Sequence, residues 1–184
     1  MLGKTISRVF GLLFTTVVLC FYTLGISAQS SVHVETAGTL AELLPTSESE
    51  LTVTGSINGS DIKHLRQLTN KGGVTSIDLS GAKIVSGGDA YYEGFTTERN
   101  VMGESMFQEC TKLRSMVLPA DVTIIGSKAF SGSGLKEIDI PRSVVSIGFD
   151  AFAYCSSLQK VVVGSKVTTL NQGVFYSSPV KPCI

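Results

Sequence analysis

The stretch LKEIDIPRSVVSIGFDAF, residues 135–152, contains the pattern that decides the fold of this chain. Ile138 and Ile140 alternate with polar residues, which is typical of a strand that is buried on one face. Pro141 has no amide hydrogen for a ladder bond, so we expect it to end this strand. Gly148 is expected to permit a tight bend into a short helical turn. The stretch therefore predicts a strand, a return segment and a turn that together form one coil.

The same pattern recurs along the chain at a nearly fixed interval. Spacings of 23, 22 and 23 residues separate Phe107, Phe130, Phe152 and Phe175. An apolar triplet follows each of the first three: Leu113, Met116 and Leu118; Leu135, Ile138 and Ile140; Leu158, Val161 and Val163. Such a period is typical of a solenoid, whose coils bury their apolar faces against one another. The sequence predicts about five coils over residues 51–184, with a sixth left incomplete.

The pattern is less regular toward the N-terminus. VTSIDLSGAKI from Val74 fits the triplet, and LTVTGSI from Leu51 is a more degenerate coil. Between them, SDIKHLRQL predicts a helix with Ser60 as its N-cap. Residues 29–50 predict a strand and a short helix, with Thr39 and Glu42 as a capping box. We interpret residues 29–50 as a small N-terminal strand-helix cap.

The recurring motif LxxIxIPxSVxxIGxxAFxxC resembles that of the BspA-like family of leucine-rich repeat proteins. The match is clearest from Met106 to Tyr176 and weaker over residues 51–84. The resemblance implies an α/β repeat fold, a right-handed solenoid with a parallel sheet on one side. The family is found as exported, often surface-displayed proteins of anaerobic bacteria and in some parasitic protists. It implies adhesion to host matrix proteins or other cells, and it supplies no catalytic residues.

The first 28 residues have the pattern of a signal peptide. Lys4 and Arg8 precede an uncharged apolar run over residues 9–26, and small residues follow it. We expect cleavage after Ala28, or alternatively after Ser27. A retained membrane anchor and lipid attachment at Cys20 are the alternatives. The leader predicts a secreted or cell-surface protein that meets a membrane only through a leader or anchor.

The charge balance of the remaining chain argues against a polyanionic partner. Without Lys4 and Arg8, 13 basic residues face 15 acidic ones, and no basic stripe stands out. We therefore expect no nucleic-acid partner.

The cysteines and histidines favour a protein without a catalytic or metal site. Cys110 and Cys155 occupy the same repeat position two coils apart, a separation of roughly 10 Å. That is too far for a disulfide, so both are predicted to be buried apolar fillers. Cys183 is left to cross-link a second chain or to pair with a downstream residue. His33 and His64 have neither a placed nucleophile nor zinc-ligand spacing, so we expect no enzyme, metal or cofactor.

The outward positions of the predicted strands form one candidate binding surface. They align in three rows: Thr75, Arg114, Lys136 and Gln159; Ser76, Ser115, Glu137 and Lys160; Asp78, Val117, Asp139 and Val162. Arg114, Lys136, Glu137 and Lys160 are the candidate contact residues. A simply solvated face is the alternative, because the rows lack aromatic anchors.

A second candidate lies where the repeat is interrupted. Leu79 and Leu118 are 39 residues apart, so we predict an inserted loop at residues 86–104. Insertions in solenoids lie on one face, often the binding face. The loop contains the interface-prone residues Tyr91, Tyr92, Phe95 and Arg99. In the alternative, the rings fold back and cover the early coils.

Together these observations predict a non-enzymatic, exported repeat protein that binds a protein, either host matrix or another cell surface. The alternative is a structural spacer, or the N-terminal fragment of a longer surface protein, with no binding role of its own.

Overall fold

The computed structural model describes residues 29–44, 49–71 and 73–181. The predicted signal peptide and Cys183 lie outside these residues. The elements run in the order β1 (Gln29–Val34), α1 (Leu40–Leu43), β2 (Glu50–Ile57), α2 (Gly59–Asn70), β3 (Ser76–Asp78), β4 (Ala82–Ile84), β5 (Gly87–Tyr92), β6 (Phe95–Thr97), β7 (Val101–Met102), β8 (Ser115–Val117), β9 (Ile124–Ile125), β10 (Glu137–Asp139), β11 (Ser146–Ile147), β12 (Lys160–Val162) and β13 (Thr169–Leu170). Within this part of the chain, no helix has the length and apolar character needed to cross a membrane.

The front of the molecule is a parallel ladder of short strands. β1, β2, β3 and β8 are hydrogen-bonded in that order, and β10 pairs with β12. The amide of Lys136 donates to the carbonyl of Arg114 at 3.1 Å, which carries the ladder from β8 to β10. The alternating triplet predicted these strands because most of their inward residues, such as Ile138, are buried while their outward neighbours are not. The last triplet is the exception, since Val161 is half-buried and Val163 is 44% exposed. The predicted parallel sheet is confirmed; the right-handed winding stays a prediction.

A second parallel ladder forms on the return side of the coils. β7, β9, β11 and β13 pair in sequence, and β4 pairs with the second half of β2. β2 contributes to both ladders: its first three residues pair with β3 and its last three with β4. Gly55, the first residue of the second group, is in a left-handed conformation that favours glycine. An L side chain at Gly55 would also meet the Val34 carbonyl. The core lies between the front and return ladders.

The phenylalanines of the repeat stack in the core. Ring centroids are 5.8 Å apart for Phe107 and Phe130, 5.1 Å for Phe130 and Phe152, and 5.8 Å for Phe152 and Phe175. The first three rings are fully buried, and Phe175 is partly buried. Since a buried aromatic side chain contributes several kcal/mol, this column links the coils energetically.

Each turn around a repeat phenylalanine has two residues in the left-handed conformation. One lies two positions before the phenylalanine, and the other lies two positions after it. These residues are Ser105, Glu109, Lys128, Gly132, Asp150, Tyr154, Gly173 and Ser177. The prediction that Gly148 makes the bend was therefore wrong, because the left-handed residue before Phe152 is Asp150. Gly148 serves close approach instead: an added Cβ would lie 2.5 Å from the Ser127 amide nitrogen of the preceding coil.

The N-terminal helices are capped differently from the prediction. Asn58, not Ser60, is the N-cap of α2, and it forms a capping box with Asp61. The Thr39 side chain makes no cap bond on α1 and donates instead to the Thr36 carbonyl at 2.8 Å. The buried Asp61 carboxylate accepts the Leu40 amide at 2.9 Å, so one side chain serves the first turns of both helices. A strand and a short helix do occupy residues 29–50, but their role as a cap for the solenoid stays a prediction.

Candidate interaction surfaces

The front ladder places the predicted outward residues in three rows. The strand pairings align Ser76 with Ser115 and Glu137 with Lys160, which we call the middle row. They also align Asp78 with Val117 and Asp139 with Val162, which we call the exit row. Successive amide-to-carbonyl bonds connect the entry row: Thr75, Arg114, Lys136, Gln159 and Lys181. The predicted alignment is confirmed, and Lys181 extends it by one rung.

The entry row is rich in cations that lack acidic partners. Lys160 forms an ion pair with Glu137 at 3.7 Å, with both side chains more than half exposed. Arg114, Lys136 and Lys181 are exposed and form no ion pair with another described residue. Charges held in water in this way are available to a partner.

The exit row combines carboxylates with apolar side chains. Val117 and Val162 are 48% and 45% exposed, whereas Met116 and Leu118 on either side of Val117 are 4% and 2% exposed. Asp139 alternates with them in the row and is exposed. Asp78 is half-buried, and its side chain accepts the Ser80 amide at 2.8 Å. The entry side of the front face is therefore positively charged, whereas its exit side combines negative charge with apolar side chains.

The predicted inserted loop contains an antiparallel hairpin formed by β5 and β6. It extends over residues 87–97, and β7 after it already belongs to the return ladder. Tyr91 is only 5% exposed and stacks with Phe95 at 6.5 Å between centroids. Tyr92 and Phe95 are half-buried against the core, whereas Arg99 is exposed. The rings thus fold back onto the early coils, as in the second alternative.

The hydrogen bonds between turns explain why Tyr91 lies there. In the turns of Phe107, Phe130 and Phe152, the amides of the phenylalanine and of the two left-handed residues donate to carbonyls of the next coil. For Phe130 these bonds are Lys128 to Phe149, Phe130 to Ala151 and Gly132 to Ala153, each 2.8 Å. A turn that lacks such a neighbour on its upstream side is left with carbonyls that need other donors.

Side chains supply these donors at the first turn. The Tyr91 hydroxyl donates to the Glu104 carbonyl at 2.8 Å, and Arg66 Nη1 donates to the Met106 carbonyl at 2.9 Å. Glu104 lies three positions before Phe107, and Met106 lies one position before it. In the later turns, the carbonyls at these two positions accept hydrogen bonds from main-chain amides. Tyr91 and Arg66 therefore replace two donors of an upstream turn.

Arg66 also organises the hairpin. Its guanidinium lies 4.3 Å from the ring centroid of Tyr92, a cation–π contact. Burial, with the Glu104 charge, raises the pKa of Tyr91 to about 12, and burial also raises the pKa of Tyr92. Arg66 was missed from the sequence, although its place on the apolar side of α2, one residue after Leu65, was an available signal.

The two described cysteines are buried and free, which confirms the sequence prediction. Cys155 Sγ lies 3.1 Å from the Phe130 carbonyl and 3.4 Å from Ser133 Oγ. Burial raises the pKa of Cys110 and of Cys155, against the opposing effect of nearby hydrogen bonds. Both thiols are therefore held in their unreactive form.

Neither histidine belongs to the three rows or to the hairpin. His33 is exposed, with its Nδ1 2.9 Å from Thr54 Oγ1. His64 is half-buried in α2, where burial and the Lys71 charge lower its pKa despite the opposing Asp61 charge. Among residues 29–44, 49–71 and 73–181, no three His, Cys, Asp or Glu side chains are grouped to hold a metal ion.

Comparisons with known proteins agree with this architecture. Residues 94–183 match the family model for the BspA type leucine rich repeat region, in six copies. The crystal structure of a leucine-rich repeat protein from Bacteroides ovatus is 27% identical over 71% of this chain and 29% of that one, with a TM-score of 0.50. A leucine rich cell surface protein from Faecalibacterium prausnitzii is 22% identical over 75% of this chain and 39% of that one, with a TM-score of 0.39.

The chain thus spans roughly a third of the length of these two structures. A search of the curated proteins finds no match. The recurring motif, the parallel front ladder and the matched repeats lead to one conclusion. Residues 94–183 form a BspA-type leucine-rich repeat region.

Proposed function

We propose that this chain is an exported or cell-surface module that binds a protein through its front ladder and performs no chemistry itself. Its partner is a host matrix protein or a protein on another cell. One observation carries the proposal: the outward side chains of β8, β10 and β12 present exposed charges beside the half-exposed Val117 and Val162. A rigid surface of this kind binds at a low ordering cost because the stacked coils fix it in advance.

The hairpin contributes less to binding in this proposal than its aromatic composition suggests. Tyr91 and Phe95 are occupied in packing, and Tyr92 lies against Arg66. Arg99 is the exposed side chain of the four candidate residues. We assign the main contact to Arg114, Lys136, Glu137 and Lys160, with Arg99 as an additional contact.

Capture of extracellular-matrix proteins by the immobilised chain tests this proposal. Val117→Arg/Val162→Arg should reduce capture at least tenfold, because both changes replace an exposed apolar side chain of the front ladder with a bulky charge. Ile124→Arg/Val145→Arg is the matched control on the return ladder, where the two side chains are 40% and 41% exposed. Equal capture by both variants contradicts binding through the front ladder, whereas no capture by the parent chain favours the structural-spacer alternative.

A further inference from the structure

We infer that the protein partner, if the front ladder binds one as proposed above, presents acidic side chains to the entry row and apolar side chains to the exit row. The inference concerns the chemistry of the partner and rests on the proposed function.

The cations of the entry row stand at defined intervals. Neighbouring strands are about 4.8 Å apart, so Arg114 and Lys136 are separated by one such step and Lys136 and Lys181 by two. Thr75 and Gln159 complete the row without adding charge. In the middle row, the exposed Glu137 carboxylate is paired with Lys160 at 3.7 Å. A partner facing the entry row therefore encounters three unpaired positive charges.

The exit row would repel a uniformly negative ligand. Asp139 follows Lys136 by three residues, roughly 10 Å along the strand, and it stands next to Val162. Like charges set opposite one another oppose binding, whereas opposite charges fix the orientation of a partner. A ligand that is negative on one side only fits both rows.

This polarity favours a polypeptide over a sulfated glycan. A sulfated glycan carries negative charge along its whole length and offers little apolar surface for Val117 and Val162, which are nearly half exposed. A protein segment can place carboxylates on one side and aliphatic groups on the other. The proposed occupant is therefore an acidic–apolar segment of a partner protein.

Fluorescence anisotropy tests the inference with three labelled probes: a peptide of alternating glutamate and leucine, its lysine–leucine counterpart and a heparin hexasaccharide. We expect the glutamate peptide to bind the full chain and the other two to bind at least tenfold more weakly. Arg114→Glu/Lys136→Glu should weaken glutamate-peptide binding at least tenfold. Lys83→Glu/Lys128→Glu changes the net charge equally at exposed positions outside the three rows and should leave this binding within twofold.

Three results with the labelled probes would overturn the inference. The first is failure of the glutamate peptide to bind, and the second is equal binding by the Arg114→Glu/Lys136→Glu variant. The third is tighter binding of heparin that the same variant abolishes, which would identify a sulfated glycan instead. Matrix-protein capture that is lost in Val117→Arg/Val162→Arg but unchanged in Arg114→Glu/Lys136→Glu would keep the proposed function while overturning the acidic partner.

Discussion

The hydroxyl of Tyr91 donates to the carbonyl of Glu104 at 2.8 Å and so takes the place of a main-chain donor from a preceding turn. The equivalent carbonyls of Ser127 and Phe149 accept the amides of Ser105 and Lys128, at 3.0 and 2.8 Å. A side chain of the hairpin therefore continues a hydrogen-bond pattern that the repeat otherwise makes with its backbone. This hydrogen bond indicates that Tyr91 stabilises the fold.

Tyr91→Phe should destabilise the folded chain by about 1 kcal/mol, because the ring stays packed while the Glu104 carbonyl loses its donor. Chemical denaturation at neutral pH measures the change. Arg99→Ala is the control from the same segment, since the Arg99 side chain is exposed, and it should leave stability within about 0.5 kcal/mol of the parent. A Tyr91→Phe protein as stable as the parent would contradict this role of the hydroxyl.

The same tyrosine predicts a dependence on alkaline pH. Burial raises the pKa of Tyr91 to about 12 in the folded chain, whereas an unfolded tyrosine titrates near 10. Between these values the unfolded chain has lost the proton and the folded chain has kept it, so stability falls as the pH rises through this window. Below pH 10 both states are protonated and Tyr91 contributes no slope. Between pH 9 and 11.5, the free energy of unfolding should fall more steeply with pH for the parent than for Tyr91→Phe. Equal slopes for the two proteins would contradict the raised pKa of Tyr91.

The phenylalanine column predicts a large difference between two nearby rings. Phe152 is fully buried between Phe130 and Phe175, whereas Phe149 is 54% exposed. Phe152→Ala should cost about 3–5 kcal/mol of unfolding free energy because it leaves a cavity in the core. Phe149→Ala is the matched control and should cost less than about 1 kcal/mol. Thermal and denaturant melts of the two variants check this, and similar losses would contradict the column as the main core.

Close contact between coils predicts the effect of a methyl group at Gly148. Its backbone does not require glycine, but an added Cβ would lie 2.5 Å from the Ser127 nitrogen. Gly148→Ala should therefore force the two coils apart and cost about 1–3 kcal/mol. At Gly73 an added Cβ would meet only the Leu68 carbonyl at 3.9 Å, so Gly73→Ala is the control. Comparable stability of the two alanine variants would exclude the close approach at Gly148.

The apolar pattern predicted the strands well because it reports burial directly. Ile138 and Ile140 are buried while Lys136 and Asp139 are exposed, so the alternation alone fixed the front ladder and its outward rows. The buried cysteines followed from the same spacing.

The turns could not be predicted in the same way. Lys128 and Tyr154 adopt the left-handed conformation, although glycine and, less strongly, asparagine, aspartate and histidine are the residues that signal it in a sequence. The repeat pattern predicted a bend at Gly148, whereas this glycine is needed for close contact between neighbouring coils.

The candidate site was predicted in part for a similar reason. Outward positions could be assigned by alternation, but the inward packing of Tyr91 depends on an acceptor in a different turn. The partner of Arg66 is likewise distant in sequence, at Met106. Composition predicted an interface-prone loop, and only the three-dimensional arrangement showed that its aromatic residues are already occupied.

Covalent labelling of carboxylates in the presence of a captured matrix protein tests the central claim, that the front ladder is the binding surface, most directly. Glu137 and Asp139 lie on this surface, while Glu93 is an exposed carboxylate of the hairpin and serves as the reference. The account predicts that the partner slows labelling of Glu137 and Asp139 at least threefold and leaves Glu93 unchanged. Protection of Glu93 with unchanged labelling of Glu137 and Asp139 would contradict it.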